Sequence, residues 1–222
     1  MNTNYFVFYS CSFVQFVAKM LFLRGVKLMK VAIVKYNAGN VESVKNALNR
    51  LGVEPILTDD AETLQTADKV IFPGVGEASS AMNYLRERNL DETIKSLTQP
   101  VLGICLGMQL LCESSEENET KCLGILPYRV RKFESDVLKI PQMGWNNIFD
   151  LKSDLLKGID EDSFVYFVHS YYVESGTETI ATCDYGLNFS AAIQHKNFYA
   201  VQFHAEKSGA VGAKILENFL GI

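Results

Sequence analysis

Histidine, proline and tryptophan are scarce in this chain of 222 residues, which has three, five and one of them. The histidines are His169, His195 and His204. The five cysteines, Cys11, Cys105, Cys112, Cys122 and Cys183, include no CxxC pair and no Cys/His group at zinc spacing, so no metal site is expected. An odd number of scattered thiols fits a reducing compartment rather than a disulfide scaffold, and the expected location is cytoplasmic. Most of these thiols read as small buried filler. No stripe of Lys and Arg stands out, and the net charge is −5, which argues against non-specific nucleic-acid binding. Internal repeats and Gly/Ser/Pro-rich linkers are missing too, so nothing divides the chain into two large domains. There is no uninterrupted apolar run of the ~20 residues that a membrane span needs. The segment Tyr5–Ala18 is apolar and aromatic, but Ser10, Ser12 and Gln15 break it. Its charges, Lys19, Arg24 and Lys27, follow the apolar run, whereas a signal peptide carries them before it.

What is present is core-forming: 48% apolar and 21% charged residues, enough for one α/β domain. Residues 1–28 read as an extension with no catalytic role, arising from an upstream start or serving as a tether. The domain is expected over 29–222. Val31–Val34, Val53–Leu57, Lys69–Phe72 and Pro100–Ile104 read as buried strands, and helical patterns lie between them. Asn40 is placed as an N-cap, with Glu42 in the first turn and Val41, Val44, Leu48 and Leu51 on one face. Helices are also expected over 78–88, 91–97, 106–112 and 209–220. This alternation predicts right-handed crossovers and a mostly parallel sheet covered by helices on both faces. The second half is richer in strands, expected as antiparallel additions. The acidic run Ser114–Lys121 reads as a solvent loop.

The segment Gly103-Ile-Cys105-Leu-Gly107, between an apolar strand and a helix, is the thiol form of a nucleophile elbow. A sharp turn exposes the sulfur at the carboxyl edge of the sheet, beside the N–H groups and partial positive charge of a helix start, as a thiolate nucleophile requires. The alternative is a buried cysteine between packing glycines. His204, ending an apolar strand, is the candidate base. Glu206, two positions on, is placed to orient it if the segment is extended. For an oxyanion hole, the backbone N–H of Leu106 is one candidate donor. Val75, in Pro73-Gly74-Val75-Gly76 after another parallel strand, is the second.

Taken together, Gly103–Gly107 with Gln109 and the His204/Glu206 pair resemble the class I (triad) glutamine amidotransferases, a flavodoxin-like α/β fold. KYNAGN (35–40), PGVGE (73–77), PQMGWN (141–146), FVHSYY (167–172) and EKSG (206–209) narrow the resemblance to the glutaminase subunits of imidazole glycerol phosphate synthase. It spans roughly residues 29–222. One departure is Ala205, where the family usually has proline; proline there only stiffens the segment, so a small effect is expected. The resemblance implies a Cys105–His204–Glu206 triad acting on L-glutamine without a cofactor. It also implies substrate contacts from Gly74, Gly76, Gln109, His169, Ser170 and Tyr171. Asn40, Trp145, Tyr166 and Lys207 would lie near a (β/α)8-barrel cyclase subunit that receives the ammonia for histidine biosynthesis. Two other readings remain: the glutaminase of a different synthase, and a non-catalytic binding module of the same fold.

Overall fold

A computed structural model of the chain describes residues 29–36 and 39–222. The expected extension over 1–28, together with Asn37 and Ala38, lies outside the described residues. A compact unit runs from Val31 to Ile222. Its main sheet begins with β1 (Val31–Val34), β2 (Ile56–Thr58), β3 (Lys69–Gly74) and β4 (Val101–Cys105), and ends with β11 (Thr179–Asp184), β12 (Asn188–His195) and β13 (Phe198–Val201). The seven strands lie in the order β11-β12-β13-β4-β3-β1-β2. The run from β13 to β2 is parallel, while β12 pairs antiparallel with β13 and with β11. Between β1 and β3 the winding reverses direction. Ligands of open α/β sheets bind beyond the carboxyl ends of the strands at such a switch point.

Side chains alternate across the sheet, and each face therefore has its own core. Val31 and Ile33 of β1 pack with Val44 and Leu48 of α1 (Val41–Arg50) and with Ile215, Leu216 and Phe219 of α6 (Gly209–Gly221). Ala32 and Val34 face the other way. They join Leu64 of α2 (Ala61–Thr66), Met82 and Leu85 of α3 (Ala78–Glu87), Ile94 of α4 (Leu90–Lys95) and Leu110 of α5 (Leu106–Leu111). Each fully buried Leu, Ile or Phe stabilises this sandwich by ~1.5–3 kcal/mol, which outweighs weak propensity in the short helices. Among the described residues no helix is long and apolar enough to cross a membrane.

The structure corrects several expectations. The strand expected at 53–57 forms three residues later, where the chain has returned to the edge of β1 and pairs Ala32 with Ile56. Of the later strands, only β11 and β12 add antiparallel to the main sheet. β13 is parallel to β4, because the tight turn between His195 and Phe198 reverses the chain out of β12, which lies antiparallel beside it. The rest build two smaller sheets. β7 (Arg129–Lys132) lies between β10 (Tyr171–Val173) and β5 (Ser114–Ser115), which also pairs with β6 (Thr120–Lys121). β8 (Gln142–Ile148) and β9 (Ser163–His169) form a separate hairpin-like pair. The acidic run over 114–121 is thus not a solvent loop. It holds β5, β6 and a tight 3-10 turn over 117–119, and is bound over the start of α3 by Glu117 and Asn118.

Candidate active site

Cys105 is the last residue of β4 and turns the chain into α5 with φ 53° and ψ −109°. A non-glycine residue rarely accepts this left-handed region, and such strain concentrates where a side chain must be aimed. The flanking glycines are steric requirements. A Cβ on Gly107 would lie 1.7 Å from the Phe72 carbonyl oxygen, and one on Gly103 would lie 2.9 Å from Leu111 Cδ1 and 3.0 Å from the Met108 nitrogen. Only without those carbons does α5 pack tightly enough to bring Cys105 to the strand ends.

His204 follows β13 at the same sheet edge and is 1% exposed. Its Nδ1 lies 2.7 Å from Glu206 Oε1, so Nδ1–H donates to the carboxylate and Nε2 is left for the nucleophile side. Residues 205–207 form a 3-10 turn rather than the extended segment expected from the i, i+2 spacing. The turn brings the carboxylate back under the ring by curvature. Ala205 opens that turn, a position where the fixed φ of a proline is accommodated. Burial disfavours a charged ring here, but the Cys105 sulfur and the Glu206 carboxylate outweigh it and carry His204 up to about 9. Nε2 has no hydrogen-bond partner among the described residues, so a lone pair or proton there is available to a bound molecule.

A cavity of about 380 Å³ opens over the sulfur, lined by Cys105, Leu106, Val75 and Gly76, and walled by Gln109, His169, Ser170 and Tyr171. Gln109 Nε2 donates to the Tyr171 carbonyl at 3.0 Å. His169 Nδ1 donates to the same carbonyl at 2.7 Å. Burial pushes His169 down to about 4, so its ring is neutral and Nε2, 2.9 Å from the Gln142 side-chain amide, is an acceptor. The Tyr171 carbonyl thus ties Gln109 and His169 together in this wall.

Not every expected residue reaches the cavity lining. Gly74 lies behind it, where a Cβ would fall 2.0 Å from the Tyr36 hydroxyl. Asn40 makes no side-chain cap on α1 and takes a left-handed φ of 72° instead. Its amide donates to Glu206 Oε1 and lies 3.3 Å from His204 Nδ1. Trp145, Tyr166 and Lys207 are outside the cavity. Trp145 is 55% exposed and packs edge-on against Tyr166 at 5.9 Å. Three lining residues were missed by sequence reasoning, Pro141, Val168 and Glu117; of these only Glu117, from the acidic run, is titratable. It accepts the Ala78 N–H at 2.7 Å, and burial raises its carboxyl above the ordinary range against the lowering by that bond. A half-buried carboxylate on the wall of this cavity matches a ligand that carries an ammonium group.

The family model described as glutamine amidotransferase class-I matches residues 19–221. The chain belongs to the class-I glutamine amidotransferase family. Within that family it is similar to proteins named imidazole glycerol phosphate synthase subunit HisH. That of Bacteroides fragilis (strain YCH46) is 58% identical over 86% of this chain and 99% of the relative. That of Escherichia coli (strain K12) is 49% identical over the same shares, 86% and 99%. Among solved structures, one described as a glutamine amidotransferase superposes with a TM-score of 0.67 at 19% identity. The match covers 86% of this chain and 97% of that one, a likeness of fold.

Proposed function

We propose that this chain is the glutaminase subunit of an imidazole glycerol phosphate synthase, a cytoplasmic enzyme of histidine biosynthesis. The reading is supported by the buried His204–Glu206 pair and the strained Cys105, set at the carboxyl ends of the adjacent strands β13 and β4 with a cavity over the sulfur.

In the proposed mechanism the Cys105 thiolate attacks the side-chain amide carbon of glutamine. A carbon–sulfur bond forms, and the negative charge on oxygen is held by the N–H groups of Val75 and Leu106. Each such donor is worth ~10²–10³ in rate. The imidazolium of His204 protonates the leaving nitrogen, and ammonia departs as the carbon–nitrogen bond breaks. Neutral His204 then takes a proton from water, the hydroxide displaces the sulfur, and glutamate leaves. Glu206 keeps Nδ1 protonated throughout, so Nε2 is the nitrogen that exchanges protons. Glu117 receives the glutamine ammonium, while Gln109 and residues 169–171 hold the amino-acid end.

Ammonia would pass to a (β/α)8-barrel cyclase, for use on phosphoribulosyl-formimino-AICAR phosphate to give imidazole glycerol phosphate and AICAR phosphate. The β8/β9 pair suits that partner. Opposed positions of the pair share a face, and this face exposes Met143, Trp145 and Phe164, at 61%, 55% and 57%, with Tyr166 beside them. The same Tyr166 accepts the His204 N–H on its carbonyl at 2.9 Å, so a partner seated there acts on the base through one hydrogen bond. Partner binding would also turn the Gly74–Val75 peptide to complete the oxyanion hole. Steady turnover by the isolated chain, as fast as in the complex, would contradict that switch.

The reading is tested by labelling the assembled complex with diazo-oxo-norleucine, an electrophilic analogue of glutamine. Covalent adduct at Cys105 is expected. An unlabelled Cys105 would favour a binding module that keeps the fold.

A further inference from the structure

Gln202 has no exposed surface, yet it lies between Val201 and Phe203 at the end of the apolar strand β13. A buried amide has to satisfy its polar atoms internally, and here the partners also fix which way it points. The Tyr171 carbonyl can only accept, so the group facing it at 3.0 Å is the Gln109 NH2. That NH2 is also 3.1 Å from the Gln202 amide, which must therefore present its oxygen. The Gln202 NH2 is left facing the Cys105 sulfur at 3.8 Å. Because a backbone carbonyl sets this order, neither amide is free to flip.

Resting on the glutaminase reading above, we propose that Gln202 is the non-titrating hydrogen-bond donor to the Cys105 thiolate, held in orientation by Gln109 and the Tyr171 carbonyl. Four titratable groups surround the sulfur. They are His204 with Glu206 behind it, Tyr36 from the loop after β1, Glu117 on the cavity wall and the neutral His169. His204 gives up its proton during the reaction, and its support for the sulfur then lapses. Gln202 keeps its donor in place through both half-reactions. The sulfur is thus stabilised both as nucleophile and, when the acyl group leaves, as leaving group.

Glu is the closest change in shape. Gln202→Glu still accepts from Gln109 but turns a carboxylate oxygen toward the sulfur. Cys105 alkylation by iodoacetamide is followed on its own peptide by mass spectrometry in wild type, Gln202→Glu and Gln202→Met, at pH 7 and pH 10. Glutamine turnover with the cyclase subunit is measured alongside. In Gln202→Glu, alkylation at pH 7 should fall about tenfold or more and recover toward wild type at pH 10. The kcat should fall in parallel, with KM for glutamine within about twofold because the Gln109 contact survives. If the buried carboxylate prevents folding, Gln202→Met carries the test, with an expected loss of about tenfold at pH 7 alone. Wild-type alkylation rates in a folded variant, or an equal loss at both pH values, would overturn the role of Gln202. If wild-type Cys105 reacts no faster than the buried Cys112 and Cys122, the nucleophile assignment itself fails, a distinct result.

Discussion

His204 and Glu117 make opposite uses of burial. Burial disfavours charge on both, but His204 has the Cys105 sulfur and the Glu206 carboxylate beside it and gains charge, while Glu117 has one backbone N–H and resists it. The folded His204 titrates near 9 against ~6.5 for an unfolded histidine. Because the folded value is the higher, this group's stabilising contribution is fully present below pH 6.5 and is lost as pH rises through about 9. Glu206→Gln weakens the ring's charged form, so urea midpoints of wild type and variant should differ most near pH 6 and converge by about pH 10. A gap that stays constant with pH would mean that the carboxylate does not stabilise imidazolium. For Glu117, the prediction is a binding effect. Glu117→Gln removes the counter-charge to the substrate ammonium, so KM for glutamine should rise about tenfold or more with kcat little changed. Initial-rate kinetics of the complex decide it, and an unaltered KM would remove Glu117 from the substrate site.

Short elements bring these residues together, and their tolerances are unequal. Gly107→Ala drives a methyl into the Phe72 carbonyl, a rigid backbone atom, and should cost about 3 kcal/mol or more of stability. Gly103→Ala meets the end of the Leu111 side chain, which can turn aside. It also meets the Met108 nitrogen at 3.0 Å and the Gly107 carbonyl carbon at 3.1 Å, from which the helix must shift by a few tenths of an ångström, so it should cost less, about 1–2 kcal/mol. Equal unfolding midpoints in the two variants would contradict the steric account of the elbow. The same contrast explains what was legible in the sequence. Gly103–Gly107 is a local signal, because the strand, the turn and the helix are all written within a dozen residues. Glu117 was hidden because polarity in 114–121 does not tell whether a carboxylate faces solvent or a helix start. Its fate depends on Ala78, 39 positions away. Asn40 stands at the N-cap of α1 as its local sequence implies, but what its side chain does was not legible there, because its amide is taken by Glu206, 166 residues on. Gln202 left one faint trace, a lone amide within an apolar strand.

Across the whole molecule, one sheet edge organises function. Gly74 and Cys105 end β3 and β4, and Tyr36 and His204 lie just past β1 and β13; these strands run parallel and side by side, so their carboxyl ends coincide. The fold class was readable from the alternation of strands and helices, whereas the reversal at β1/β3 and the position of β13 depend on long-range pairing. The β8/β9 pair, outside this sheet, carries the exposed aromatic face and reaches the catalytic residues through β9, where the Tyr166 carbonyl accepts the His204 backbone N–H and the Val168 carbonyl lies 3.9 Å from the Cys105 sulfur. That arrangement fits an enzyme whose chemistry is gated by a partner.

The central claim is that Cys105 releases ammonia from glutamine for a synthase partner. It is tested by measuring imidazole glycerol phosphate formation in the complex of wild type or Cys105→Ala with the cyclase subunit, supplied with glutamine or with ammonium salt. The variant should lose glutamine-dependent synthesis by ~10⁴-fold or more while its ammonium-dependent synthesis stays at the wild-type rate. Glutamine-dependent synthesis undiminished in Cys105→Ala would contradict the account.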